Sequence, residues 1–300
     1  MANMVSWQVS RRNYLLVVGI LFLGITISYG QNFARALGET AGNRPQLYLV
    51  GVGPGDPDLM TLRAIRAIEQ ADLVFASPGI AKKCAEYLQG KEVVVGFWRL
   101  FPYYGQKREE VPEEEREEYD RLAAQRQKFI QMVRQAVAAG KVVALLDNGD
   151  PLIYGPWAWT LEEFEDLNPV VIPGLSAFNA AHAALRKSPT NATRTKSVIL
   201  TANDWPGKTD TIPELAKHGA SMAIFTMRAE FEDFIGKLRQ TLPDDTPVAI
   251  VEYAGYKDRE RVIIGTLADI LQKVSGKDLA FEYLIYVGEF LTFRHKKSTH

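Results

Sequence analysis

Cysteine and histidine are nearly absent from this sequence. Cys84 is the single cysteine, which excludes an intramolecular disulfide, a CxxC redox pair and a multi-thiolate zinc site. The four histidines, His182, His218, His295 and His300, are widely separated along the chain, so a histidine-based metal centre is not expected and no metal is assigned. An excess of one charge is also missing: 35 basic and 36 acidic side chains give a formal net charge of −1. No global field draws such a chain onto nucleic acid, which is not expected as a partner. Internal repeats and low-complexity tracts are lacking as well. What remains is a globular composition, 47% hydrophobic and 24% charged over 300 residues, enough for one large domain or two of ordinary size.

Charge is locally absent at the N-terminus. Asn13 to Ala34 contains no charged residue and includes LLVVGILFLGITI, with Arg11 and Arg12 just before it. A helix over this run would extend about 33 Å, enough for a bilayer core of roughly 30 Å. The expectation is an N-terminal hydrophobic helix that associates the chain with a membrane through residues 13–34. Two readings stay open. One is a retained signal anchor; the other is a cleaved export signal, since Ser10 to Leu16 is similar to a twin-arginine motif and Ala34-Arg35-Ala36 offers a small-x-small cleavage site. Arg35 and Arg44 on the far flank leave the orientation open.

From Gln46 onward, short apolar runs alternate with amphipathic stretches, the pattern of an α/β protein. Residues 47–50, 73–75, 93–95, 142–146 and 170–172 read as strands of a mainly parallel sheet. Residues 198–200, 222–225, 248–251, 262–264 and 283–287 read as a second set, with helices falling between them, the last around 266–274. The short spacing between 248–254 and 260–265 makes that pair antiparallel and its sheet mixed. Residues 107–121 are charge-rich and read as a solvated linker and helix start, followed by a helix from about Leu122 to Ala139. The expected organisation is 1–45 as signal segment and linker, 46–190 and 195–293 as two α/β domains with a ligand cleft between them, and 294–300 as a tail.

Three loops that follow strands carry the chemistry: Gly-Pro-Gly-Asp-Pro after the first, Asn-Gly-Asp-Pro-Leu-Ile-Tyr-Gly after the fourth and Pro-Gly-Leu-Ser-Ala after the fifth. In a parallel sheet such loops share one rim, where α/β ligands bind. The first loop is not a dinucleotide fingerprint. Asp56 stands where the third glycine belongs, and Pro54 removes an N–H that a phosphate would use. An acidic, proline-containing loop suits a ligand without phosphates.

These segments, LYLVGVGPGDPDLMTLRAIRAIEQADLV, NGDPLIYG and VIPGLSAFNAA, together with PVAIVEYAGYKDRERVIIGTLADI and YLIYVGEFL, resemble the tetrapyrrole methylase family in order and spacing. The resemblance spans Gln46 to Phe293 and is nearest to the precorrin-4 methylase branch. It implies a methyltransferase that uses S-adenosylmethionine, bound folded at the junction of two α/β domains. By motif position, Pro54, Asn148, Gly149, Asp150 and Ile153 line the donor site. Ser176, Ala177, Thr226 and Ala254 fall where the family makes further donor contacts, mostly through backbone, and Tyr154 belongs to a loop able to close over the ligand. A homodimer is the expected assembly. Ser77 and Phe97 occupy the acid–base positions of the uroporphyrinogen branch and can perform neither role, so no catalytic residue is assigned. Methyl transfer to an electron-rich pyrrole-derived carbon relies on positioning and desolvation, and it does not require a strong general base.

A tetrapyrrole carries several carboxylates, and Arg99, Arg194 and Arg228, near strand ends, are the candidates to pair with them. Trp98, Phe101, Tyr103 and Tyr104, with Trp157 and Trp159, are candidates for a face against a flat macrocycle, although aromatics at this density also build cores. The rival to a C-methyltransferase is a non-catalytic tetrapyrrole-binding or carrier protein that retains the fold.

Overall fold

A computed structural model describes residues 45–226, 231–274, 279–280 and 282–295. Its first sheet comprises β1 (Leu47–Gly51), β2 (Leu73–Ala76), β3 (Glu92–Val95), β4 (Val143–Asp147) and β5 (Val170–Ile172), in the order β3-β2-β4-β1-β5. All four pairings are parallel. Every residue of β1, β2 and β4 is buried, which explains their uninterrupted apolar sequences: a parallel strand covered on both faces has no polar alternation. The helices around this sheet are α1 (Leu62–Gln70), α2 (Pro78–Lys83), α3 (Arg116–Ala138), α4 (Thr160–Glu163) and α5 (Ala177–Leu185). Thr61 starts α1 by accepting the Ala64 N–H at 3.1 Å, and Ser176 starts α5 by accepting that of Phe178 at 3.2 Å. Phe129 of α3 holds the core together, edge-on to Phe75 at 4.9 Å and 5.2 Å from Trp157.

The second sheet holds β6 (Val198–Ala202), β7 (Ser221–Phe225), β8 (Pro247–Glu252), β9 (Arg261–Thr266) and β10 (Tyr283–Val287), in the order β6-β7-β10-β8-β9. β6 and β7 are parallel and the other pairings antiparallel, so the sheet is mixed, and β8–β9 is the antiparallel pair expected from its spacing. Helices α6 (Ile212–Ala216), α7 (Phe231–Arg239) and α8 (Ile270–Val274) accompany it. Phe234, Ile235 and Leu238 of α7 are fully buried in the core of this sheet.

Two boundaries differ from the sequence reading. α3 begins at Arg116, inside the charge-rich stretch, because Glu117 and Glu118 suit the first turn of a helix. α8 is shorter than 266–274, because Thr266 completes β9.

The membrane assignment needs correction. Among the described residues no helix is long and apolar enough to cross a membrane. The longest, α3, has 23 residues but carries charge along its length, including Arg121, Arg126, Lys128 and Arg134. Residues 13–34, on which the transmembrane helix, the membrane-associated localisation and the export alternative all rested, lie outside the described residues. Those assignments are not carried further.

Candidate functional site

The three loops predicted to share a rim meet backbone to backbone. Gly53 and Gly149 exchange hydrogen bonds, N–H to O, at 3.2 and 3.0 Å. A Cβ on Gly174 would stand 2.1 Å from the Gly149 carbonyl oxygen, so only glycine lets the loops after β4 and β5 approach this closely. The loop between β8 and β9 closes the other side. The Asp56 N–H donates to the Gly255 carbonyl at 3.0 Å, Asp56 Oδ2 accepts the Lys257 N–H at 2.9 Å, and Lys257 pairs with Asp58.

Between these walls lies a cavity of about 600 Å³, within the range that takes a small-molecule ligand. All ten residues assigned to a donor site line it. Pro54 comes from the loop after β1, and Asn148, Gly149, Asp150, Ile153 and Tyr154 from the loop after β4. Ser176 and Ala177 stand at the start of α5, Thr226 after β7 and Ala254 after β8. Local structure engages several of their polar side chains. Asp150 Oδ1 accepts the Leu152 N–H at 2.9 Å, Ser176 caps α5, and Thr226 donates to the Tyr283 carbonyl at 3.0 Å. The backbone is thereby held in place along the cavity wall. Tyr154, at φ +60° and half-exposed, packs its ring 4.7 Å from Phe225 across the gap between the two sheets.

Ionisable groups that the sequence did not single out share this cavity. Asp147, the last residue of β4, is 2% exposed, and its Oδ2 has no hydrogen-bond partner. Burial pushes this carboxyl up to about 7, against the opposing pull of the Asn148 and Trp157 N–H groups. Lys83, from α2, donates to the Gly53 carbonyl at 2.7 Å, and burial brings its ammonium down to about 8. Arg259 lies 4.5 Å from the centre of the Tyr253 ring and 4.0 Å from that of Tyr256. Its charge is thereby fixed at the mouth by cation–π contact. Lys82 and Glu282 also line the cavity. Arg259 falls within the segment PVAIVEYAGYKDRERVIIGTLADI, whereas Asp147, Lys82, Lys83 and Glu282 belong to none of the quoted segments. For those four the one available signal was an acidic residue closing the apolar run of β4.

The expected substrate arginines are not gathered here. Arg99 lines a second hollow of about 470 Å³ with Glu118 and Arg121. Arg194 is 89% exposed at 3.9 Å from Glu289. Arg228 lies outside the described residues. Of the aromatic candidates, Trp98 and Trp157 line the main cavity, whereas Tyr104 and Trp159 pack on each other with ring centres 4.9 Å apart and planes inclined by 48°, and Tyr103 bonds Glu115 at 2.8 Å. Ser77 caps α2 through the Ile80 N–H at 3.2 Å, and Phe97 packs on Phe75 and Phe129. Cys84 is buried, with its thiol pushed up to about 11, which makes it inert.

Three comparisons bear on this arrangement. The family model of the Tetrapyrrole (Corrin/Porphyrin) Methylases matches residues 46–271. The cobalt-precorrin-4 C(11)-methyltransferase of Methanocaldococcus jannaschii is 31% identical over 258 residues, covering 83% of this chain and 89% of that protein. The precorrin-4 C(11)-methyltransferase of Pseudomonas aeruginosa is 29% identical over 251 residues, covering 82% and 90%. Among solved structures, a cobalt precorrin-4 methyltransferase of cobalamin biosynthesis superposes with a TM-score of 0.67 at 25% identity, over 84% of this chain and 99% of that one. A uroporphyrin-III C-methyltransferase from Thermus thermophilus, complexed with S-adenosylhomocysteine, shares the fold at a TM-score of 0.58 and 21% identity, over 82% and 99%.

Proposed function

Because the chain belongs to the tetrapyrrole (corrin/porphyrin) methylase family, we propose that it is an S-adenosylmethionine-dependent C-methyltransferase acting on a corrin precursor at the precorrin-4 stage. The observation that carries this reading is the convergence of all ten motif residues on one cavity. The likeness to two precorrin-4 C(11)-methyltransferases over more than four-fifths of the chain supports the substrate stage.

The cavity suits the donor chemically. S-Adenosylmethionine supplies a methyl group activated on a positively charged sulfur. The loops after β1 and β4 offer carbonyls and carboxylates, which favour a cation, and Pro54 lacks the N–H that would disfavour one. Ile153 and Tyr154 give the apolar surface that an adenosine needs, and Tyr154 shields the reacting centre from water. For the acceptor, Lys83 and Arg259 provide cations on the cavity wall for the substrate's carboxylates, and Trp98 provides a face for a flat ring, with the buried Trp157 packed behind the wall. The chain's contribution to rate is then alignment of the ring carbon with the methyl group in a water-poor cavity. The homodimer expected from the sequence stays part of this reading and is checked by sedimentation.

The test is methyl transfer by the full chain, with a precorrin-4-type acceptor and isotopically labelled donor. Labelled methyl should appear on a ring carbon, together with stoichiometric S-adenosylhomocysteine. Absence of transfer combined with absence of donor binding in calorimetry would overturn the reading and favour the carrier.

A further inference from the structure

Asp147 is the buried side chain in the cavity that local structure leaves unexplained. It stands at the carboxyl end of β4, the central strand of a five-stranded parallel sheet, where α/β proteins place their ligands. The Asp147 carbonyl accepts the Val52 N–H at 2.9 Å, so its backbone is fixed between two of the ligand loops. Its side chain lines the cavity, yet Oδ2 has no partner. A Cβ at Gly155 would fall 2.6 Å from that oxygen, so the Gly155 backbone packs close against it without supplying a hydrogen-bond partner.

Two backbone N–H groups, of Asn148 and Trp157, favour the ionised form, but a buried carboxylate with one oxygen left unpaired is still costly. The cost is removed either by a proton or by a cation brought in with a ligand. The other charged groups around the cavity do not supply that cation. None of the cations lining the cavity bonds Asp147 Oδ2: Lys83 donates to the Gly53 carbonyl, Arg259 lies over two tyrosine rings and Lys82 is exposed, while Asp150 and Glu282 carry the same sign as Asp147. Of these groups, only Asp150 acts appreciably on Asp147, and it opposes ionisation. The remaining cation is the ligand's own.

We propose that Asp147 senses the charge of the methyl donor, its carboxylate facing the sulfonium of S-adenosylmethionine and taking up a proton once the neutral thioether product has formed. The inference rests on the donor assignment of the preceding section. Charge and atoms balance. The S–CH₃ bond breaks with its electron pair left on sulfur, a C–C bond forms to the ring, and the ring system loses a proton. A carboxylate opposite a sulfonium becomes a carboxylic acid opposite a thioether. The product thus loses an attraction that the donor had, which favours exchange of one for the other. Because burial pushes the Asp147 carboxyl up to about 7, the switch operates at ordinary pH.

The experiment compares S-adenosylmethionine with S-adenosylhomocysteine, which differ by one methyl group and one charge. Calorimetry of the full chain in two buffers of unlike ionisation heat counts protons released on binding. At about pH 7 the donor should release a fraction of a proton more than the product. The ratio of donor to product affinity should rise about fourfold between about pH 6 and about pH 7.5 for a one-unit coupling. In Asp147→Asn the ratio should be level and product binding should match the wild type. A level ratio in the wild type, or the same slope in Asp147→Asn, overturns the proposal. So does a slope shared equally by both ligands, which would place Asp147 opposite their common ammonium group. If the variant fails to fold, the wild-type proton count decides alone. Binding of neither ligand overturns the donor assignment itself; binding of both at a pH-independent ratio leaves that assignment standing and removes only the role of Asp147.

Discussion

Gly55 and Gly255 touch across the cavity mouth: a Cβ on Gly55 would lie 2.2 Å from the carbonyl carbon and oxygen of Gly255. Beside this contact, Asp56 donates to the same carbonyl and accepts from Lys257. The loop after β1 and the loop after β8 therefore act as one edge of the site, although 200 residues separate them in sequence.

Gly55→Ala should separate these loops. The new methyl group cannot be accommodated, and Gly55 sits at φ +65°, which a β-carbon also disfavours, at a cost of about 1–3 kcal/mol. Donor affinity should fall about tenfold or more, with the unfolding midpoint lowered. Gly236→Ala, at an open position in α7 where nothing lies within 4 Å, is the control and should leave binding unchanged. Equal donor affinity in both variants would show that the loop contact does not shape the site.

Pro54 and Asp150 face the cavity from two different loops. Asp150 also holds its own turn through the Leu152 N–H. Pro54→Ala combined with Asp150→Ala should weaken S-adenosylmethionine by about tenfold, or about 1.4 kcal/mol, in calorimetry. Asp150→Asn keeps an oxygen for the turn and should recover part of the loss. Wild-type affinity in the double variant would remove both loops from the donor site.

The strands were legible because parallel strands buried on both faces are written as unbroken apolar runs, as in Leu47 to Val50 and Val143 to Leu146. The ligand loops were legible because Gly, Pro and Asp cluster where the backbone must turn tightly and pack closely, and Gly174 against Gly149 is the physical reason. Single charged side chains were not. Arg99 and Arg194 lie near strand ends, but nearness to a strand end does not aim a side chain, and neither lines the main cavity. Lys83 lines it because α2 is short and begins directly after β2, a consequence of three-dimensional packing that no string records. Asp147 adjoins a recognised motif but takes its character from burial, which is a property of the folded state.

Lys83 should make acceptor binding sensitive to pH. Its ammonium is brought down to about 8 by burial, so it is charged below that value and neutral above. A polycarboxylate tetrapyrrole should therefore bind more weakly as pH rises through about 8, as well as when salt is added. Lys83→Arg, which stays charged, should flatten the pH profile, and Lys83→Met should give low affinity at every pH. Fluorescence quenching by a porphyrinogen-derived ligand reads both. An unchanged profile in Lys83→Arg would exclude this lysine from the acceptor site.

Asp147 also leaves a signature in stability, with a sign opposite to that of most carboxylates. The folded chain keeps its proton up to about pH 7, whereas the unfolded chain loses it near the ordinary value of 3.8. Between those limits the folded state binds more protons. Its stability therefore falls as pH rises, by up to about 1.4 kcal/mol per pH unit, and the full penalty stands above about pH 7. Asp147→Asn does not titrate, so its stability relative to the wild type should improve steadily from about pH 5 to about pH 7 and stay level above. Urea unfolding of both proteins across this range measures the difference, in which the other carboxylates cancel. Saturating S-adenosylmethionine should reduce the difference if its sulfonium stabilises the carboxylate, whereas S-adenosylhomocysteine should not. A difference that is independent of pH would mean that Asp147 stays ionised in the folded chain, and the buried carboxyl would then need a cation from elsewhere in the protein.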